Sequence, residues 1–124
     1  MHPVLWRRTF DPALSNARAA RRFVDSALAD SGFTGDVDTV LLLVSELVSN
    51  AVRHAGTRFD LTLELAGQEV TVTVVDDSPS PAHLMRPAPG ATTGRGLLIV
   101  DRLARRWGTR PTPDGGKAVW FSCG

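Results

Sequence analysis

The chain holds one cysteine, Cys123, and no apolar run long enough to cross a bilayer. A lone cysteine excludes an intramolecular disulfide and fits a reducing compartment. The N-terminus lacks a basic segment followed by an apolar core, so the expectation is a soluble, cytoplasmic protein with no membrane partner. Charge of one sign is also missing, because 14 Lys and Arg face 13 Asp and Glu and the formal net charge is +1. That balance gives no global pull toward nucleic acid or an anionic membrane, so a ligand has to be held by a local site. Repeats, linkers and charge blocks are absent as well. With 124 residues, 43% hydrophobic and 22% charged, the expectation is one domain over residues 1–124 with a real core and no room for a second.

What is present in excess is an apolar helix. From Leu41 to Ala55 the residues Val44, Val48, Ala51 and Ala55 continue a stripe begun by Val37 and Val40, as expected for a helix pressed against a sheet. Leu42, Leu43 and Leu47 fall outside the stripe, which predicts a helix buried nearly all round. Glu46, Asn50 and His54 are its polar residues. Their i, i+4, i+8 spacing drifts by only roughly 40° per step, so they share one ridge with Arg53 beside it. Such a ridge is either a partly exposed face or the lining of a polar site. A carboxylate beside a carboxamide suits the second, because the amide oxygen is a neutral hard ligand for Mg²⁺ and the carboxylate can take a proton.

Around this helix the periods alternate. Val4 to Phe10 reads as a strand, and Asp11-Pro12 reads as a helix start, with Asp11 as cap and Pro12 at the first helical position. The helix that follows keeps Leu14, Ala17, Ala20, Phe23, Val24, Ala27 and Leu28 on one side and Arg18, Arg21, Arg22 and Asp25 on the other, ending at Ser31-Gly32. Thr34-Gly35-Asp36 opens the apolar helix, which stops at Ala55-Gly56. Period two then marks strands through Phe59, Leu61, Leu63 and Leu65 and through Val70, Val72 and Val74, joined as a hairpin across Ala66-Gly67-Gln68-Glu69. Residues from about 80 to 93 are rich in Pro, Gly, Ala and Thr without a period, the signature of a loop long enough to be a lid. A third helix opens at Gly94-Arg95-Gly96-Leu97, with Leu97, Leu98, Val100 and Leu103 apolar and Arg102, Arg105 and Arg106 near its end. Trp107 to Arg110 and Lys117 to Ser122 are the last strands, turning at Pro113-Asp114-Gly115-Gly116. The implied class is α+β: a two-layer sandwich with a mixed, mainly antiparallel sheet and helices on one face.

Three patterns stand in fixed order: Glu46-x-x-x-Asn50 on the apolar helix, Asp76-x-Ser78 at a strand end, and Gly94-x-Gly96-Leu97 at a helix start. Singly each is weak, since Gly-x-Gly is usually a turn device and a strand-end Asp a turn former. In this order they resemble the GHKL ATPases, whose Bergerat fold serves gyrase, a heat-shock chaperone, histidine kinases and a mismatch-repair ATPase. Within that group the chain looks most like the small stand-alone anti-sigma factor serine/threonine kinases of bacteria.

The resemblance implies roles residue by residue. Asn50 would coordinate Mg²⁺ bridging the ATP phosphates, and Glu46 would activate the nucleophile. Asp76 would accept from the adenine amine, with Ser78 completing the motif around it. Gly94 and Gly96 would let backbone N–H groups approach the phosphates, with Arg95 as a nearby cation facing phosphate or solvent and Leu97 closing the motif. The family's Asp-x-Gly-x-Gly appears here as Asp76-Asp77-Ser78-Pro79-Ser80, a stiffer loop. The hydroxyl that often assists adenine binding from a closing strand is missing, and Ala118 sits about where it is expected. The implied function is a kinase of the anti-sigma factor type that uses ATP and Mg²⁺ to phosphorylate a STAS-domain anti-sigma antagonist, with a sigma factor as a further partner, a possible homodimer and no direct nucleic-acid contact. The alternative is a non-catalytic module that sequesters a sigma factor or another partner in a nucleotide-dependent way.

Overall fold

A computed structural model describes residues 3–78 and 95–124. The expected lid, residues 80–93, and Gly94 lie outside the described residues. Five strands form one sheet: β1 (Val4–Phe10), β2 (Phe59–Ala66), β3 (Glu69–Asp76), β4 (Arg106–Pro111) and β5 (Lys117–Cys123). Their order is β1-β2-β3-β5-β4, so β5 is inserted between β3 and β4. Within the mainly antiparallel sheet expected, all four pairings are antiparallel. Three helices accompany it: α1 (Ser15–Ser31), α2 (Val37–Asn50) and α3 (Arg95–Leu103).

Alternation decides which face of the sheet is covered. Phe59, Leu61, Leu63 and Leu65 of β2 are buried and oppose Asp76, Val74, Val72 and Val70 of β3, while Asp60, Thr62 and Glu64 point to the open face. On β5, Val119, Phe121 and Cys123 continue the covered face. The helices bury Ala20, Val24, Ala27 and Leu28 from α1 and Val40, Leu43, Val44, Leu47 and Val48 from α2 into the same core. Phe10 stacks on Phe59 with ring centroids 5.3 Å apart and meets Phe23 edge-on at 6.5 Å, closing the β1 end.

Helix α2 lies centrally, packing on the sheet and between α1 and α3. That position corrects the expected burial. Leu43 and Leu47 are buried, but Leu42 is 42% exposed on the side that no element covers. A helix in a two-layer fold has three covered sides, not four. At its start the Asp36 carboxylate accepts from the Thr39 N–H at 3.1 Å and the Thr39 hydroxyl at 2.7 Å. Those bonds, the hydroxyl's first, hold the Asp36 carboxyl below the usual range. At its end the helix passes into one π-helical turn, Ala51–Ala55, closed by Gly56 N–H to the Ala51 carbonyl at 3.1 Å with Gly56 at φ 63°.

Two other boundaries differ from expectation. Helix α1 starts at Ser15 without a side-chain cap, not at Asp11-Pro12. The Asp11 carbonyl instead accepts from Ala13 N and Asn16 Nδ2, both at 2.8 Å, and its carboxylate turns toward Arg58 at 3.7 Å. A turn therefore precedes the helix. Helix α3 ends at Leu103, which is 47% exposed instead of apolar-side, and Arg106 already begins β4. Among the described residues no helix is long and apolar enough to cross a membrane.

Candidate functional site

The site follows from which end of the sheet each motif reaches. Asp76 is the last residue of β3 and is 2% exposed. The carboxylate accepts from Ser78 N at 2.9 Å, an Asx-type turn that fixes its orientation. Ser78 itself is 7% exposed. Among the described residues only glycines have positive φ, so Ser78 stands where a family glycine is common without needing a glycine's conformation.

The α2 motif arrives at the same end. Asp77 N donates to Thr57 Oγ1 at 3.1 Å, tying the segment just beyond the π-helical turn to the end of β3. Glu46 and Asn50 are both half-buried, one turn apart near the C-terminal end of α2. Burial pushes the Glu46 carboxyl above its usual range, and the charge of Arg53 offsets part of that shift. Arg53 is exposed, whereas the side chain of His54 lies outside the described residues.

Helix α3 carries the described part of the third motif. Arg105 N donates to the Ser122 carbonyl at 2.8 Å, which seats the C-terminal end of α3 at the Ser122 end of β5. Nine residues rise about 13 Å, so the first turn, Arg95, Gly96 and Leu97, stands about that far from the end seated at Ser122. Their side chains, like Gly94, lie outside the described residues.

Sequence reasoning missed two residues here. Lys117, the first residue of β5, stands opposite Asp76 in register and places Nζ 3.4 Å from Asp76 Oδ2, with side chains only 5% and 1% exposed. Gly116 precedes it, and a Cβ on Gly116 would lie 2.0 Å from the Asp76 carbonyl oxygen. The closing strand can approach Asp76 only because residue 116 has no side chain. Ala118 pairs with Val75 on the face away from Asp76 and is fully buried, whereas Lys117, one residue earlier, stands opposite Asp76. The available signal was the period of two: counting back from the core residues Val119 and Phe121 puts Lys117, not Ala118, on the covered face.

The remaining features lie elsewhere. Arg18, Arg21 and Arg22 are exposed on α1 and line an open groove with Asp25, Asp38, Leu41, Leu42 and Ser45, at the opposite end of α2 from Asn50. Among the described residues, no three His, Cys, Asp or Glu side chains converge as a metal cage. The donor set on α2, one amide oxygen and one carboxyl, instead suits a hydrated Mg²⁺ that takes further ligands from phosphate.

A family model described as "Histidine kinase-like ATPase domain" matches residues 10–123. The chain belongs to that family. As a histidine kinase-like ATPase domain it is expected to take ATP. Among solved structures, it is similar to the RsbU and RsbW domains of Rv1364c from Mycobacterium tuberculosis, with a TM-score of 0.70 and 21% identity. That match covers 96% of this chain and 32% of the other, so this chain spans about a third of that relative's length. At this identity the likeness concerns the fold. No curated protein sequence matches the chain.

Proposed function

We propose that this ATPase domain is a protein serine/threonine kinase of the anti-sigma factor type, which phosphorylates a STAS-domain anti-sigma antagonist and has a sigma factor as second partner. The observation that carries the reading is Glu46. A general base works best with a pKa near the operating pH, and here burial raises a carboxyl one turn from the Asn50 that suits Mg²⁺. Binding ATP alone needs no such base.

In this reading the Asp76 carboxylate, braced by Ser78 N, accepts from the adenine amine. Gly94 and Gly96 would let backbone N–H groups approach phosphate, with Arg95 as the motif's cation and Leu97 closing the motif. Asn50 would hold Mg²⁺, and that ion would supply neutralisation of the phosphate charge. Glu46 takes the proton from the acceptor hydroxyl as its oxygen bonds to the γ-phosphorus. The bond from that phosphorus to the bridging oxygen breaks, and ADP leaves.

The test uses the purified chain, Mg²⁺, γ-labelled ATP and candidate antagonists. Wild type is expected to label an antagonist, and Glu46→Gln is expected to bind ATP while transfer falls by about 10²–10⁴. An unchanged rate in Glu46→Gln excludes Glu46 as the base. ATP binding with no label on any antagonist, even in wild type, turns the reading to a nucleotide-dependent module that sequesters its partner.

A further inference from the structure

We propose that Lys117 reads the ring nitrogen next to the adenine amine, so that the base is recognised by a buried acceptor–donor pair, Asp76 and Lys117. The inference rests on the nucleotide reading above and adds a residue that no motif contains.

The pair is built by the sheet. Asp76 and Lys117 are register partners on β3 and β5, and directly opposed residues share a face. Gly116 lets the two strands close at this point. One Asp76 oxygen is held by Ser78 N at 2.9 Å, and the other lies 3.4 Å from Lys117 Nζ. A strong charge-assisted N–H···O bond spans only about 2.7–2.9 Å. Among the described residues that loose contact is the one polar partner of an ammonium with three N–H donors. A buried ion pair offsets its desolvation only when the remaining donors and lone pairs are also satisfied. The loose contact with Asp76 therefore leaves N–H donors of the lysine available to an incoming acceptor.

Adenine offers one in the right place. Its amine donates and the neighbouring ring nitrogen N1 accepts, the complement of a carboxylate beside an ammonium. Guanine presents a carbonyl and an N–H at the same two positions. Both contacts then reverse, acceptor against acceptor at Asp76 and donor against donor at Lys117. Base choice is thus made at two atoms.

The experiment compares calorimetric affinities for ATP, for 1-deaza-ATP, which has a C–H in place of N1, and for purine riboside triphosphate, which lacks the amine. Wild type is expected to bind 1-deaza-ATP roughly ten- to a hundredfold more weakly than ATP, the range for one lost hydrogen bond to a charged donor. In Lys117→Met that difference is expected to vanish, because no donor remains to miss the nitrogen. Equal binding of ATP and 1-deaza-ATP by wild type overturns the proposal, as does a difference that persists in Lys117→Met, or ATP binding that tightens on removal of the lysine. If Lys117→Met does not fold, the wild-type comparison decides alone. Loss of affinity for the amine-free analogue but not for 1-deaza-ATP removes Lys117 and leaves the Asp76 reading intact, whereas wild type that binds no adenine nucleotide removes both.

Discussion

Gly116→Ala tests the contact on which the candidate site depends. The new Cβ would stand 2.0 Å from the Asp76 carbonyl oxygen and 3.0 Å from Asp77 Cα, where ordinary contact begins at 3.4 Å. The shortfall at the oxygen is about 1.4 Å, and the obstacle is backbone within a paired strand, which no rotamer change can move. Either β5 shifts off β3 or the Asp76–Asp77 segment moves outward. Forced overpacking costs about 1–3 kcal/mol, and loosening one ladder hydrogen bond adds about 1 kcal/mol. A total near 3 kcal/mol lowers the melting temperature of a domain this size by on the order of 10 °C. The control is Gly115→Ala, at φ +87° with nothing within 4 Å, where only left-handed strain of about 1–2 kcal/mol is expected. Thermal melts and ATP titrations of both variants separate clash from strain. Gly116→Ala should lose nucleotide affinity along with stability, and Gly115→Ala should lose stability alone. A Gly116→Ala protein that melts within a degree or two of wild type and binds ATP equally well would refute the close approach of β5 to Asp76.

Two further outcomes follow from titrating groups. The Glu46 carboxyl is raised by burial from 4.5, so its contribution to stability is present below that value and is lost as pH climbs through the raised one. Glu46→Gln should therefore melt higher than wild type near neutral pH and show no advantage at pH 3, and an advantage largest in acid would contradict the assignment. Burial, aided by the charge of Asp36, pushes the Cys123 thiol up to about 11, so alkylation at pH 8 should be slow in the native chain and fast in denaturant. Equal native and denatured rates would show that the end of β5 is not seated in the core.

The parts legible in the sequence were those that a local period encodes. Alternation along Phe59–Leu65 and Val70–Val74 identified β2 and β3 and their hairpin, and helical spacing located α1 and α2. Glu46, Asn50 and Asp76 were singled out as candidates because each belongs to a short motif. What a short window cannot carry is partnership across the sheet. Lys117 meets Asp76 only because β5 enters between β3 and β4, an insertion no local period announces. The start of α1 was misplaced for a related reason: Asp11-Pro12 has the composition of a cap, but Asn16 and Arg58 claim the groups of Asp11. The exposure of Leu42 likewise depends on where α1 and α3 stop covering α2.

The insertion of β5 between β3 and β4 has a bearing on how the protein is made. A ribosome delivers β1, α1, α2, β2 and β3 before any of β5, so the emerging chain holds β3 as an open edge while its apolar row, Val70, Val72 and Val74, awaits a partner. Such an edge recruits strands indiscriminately. Until β5 arrives, Asp76 has neither Lys117 nor the close wall of Gly116. The β3 edge is therefore closed late in synthesis, and a truncated or stalled product is a candidate for aggregation instead of a weak version of the whole.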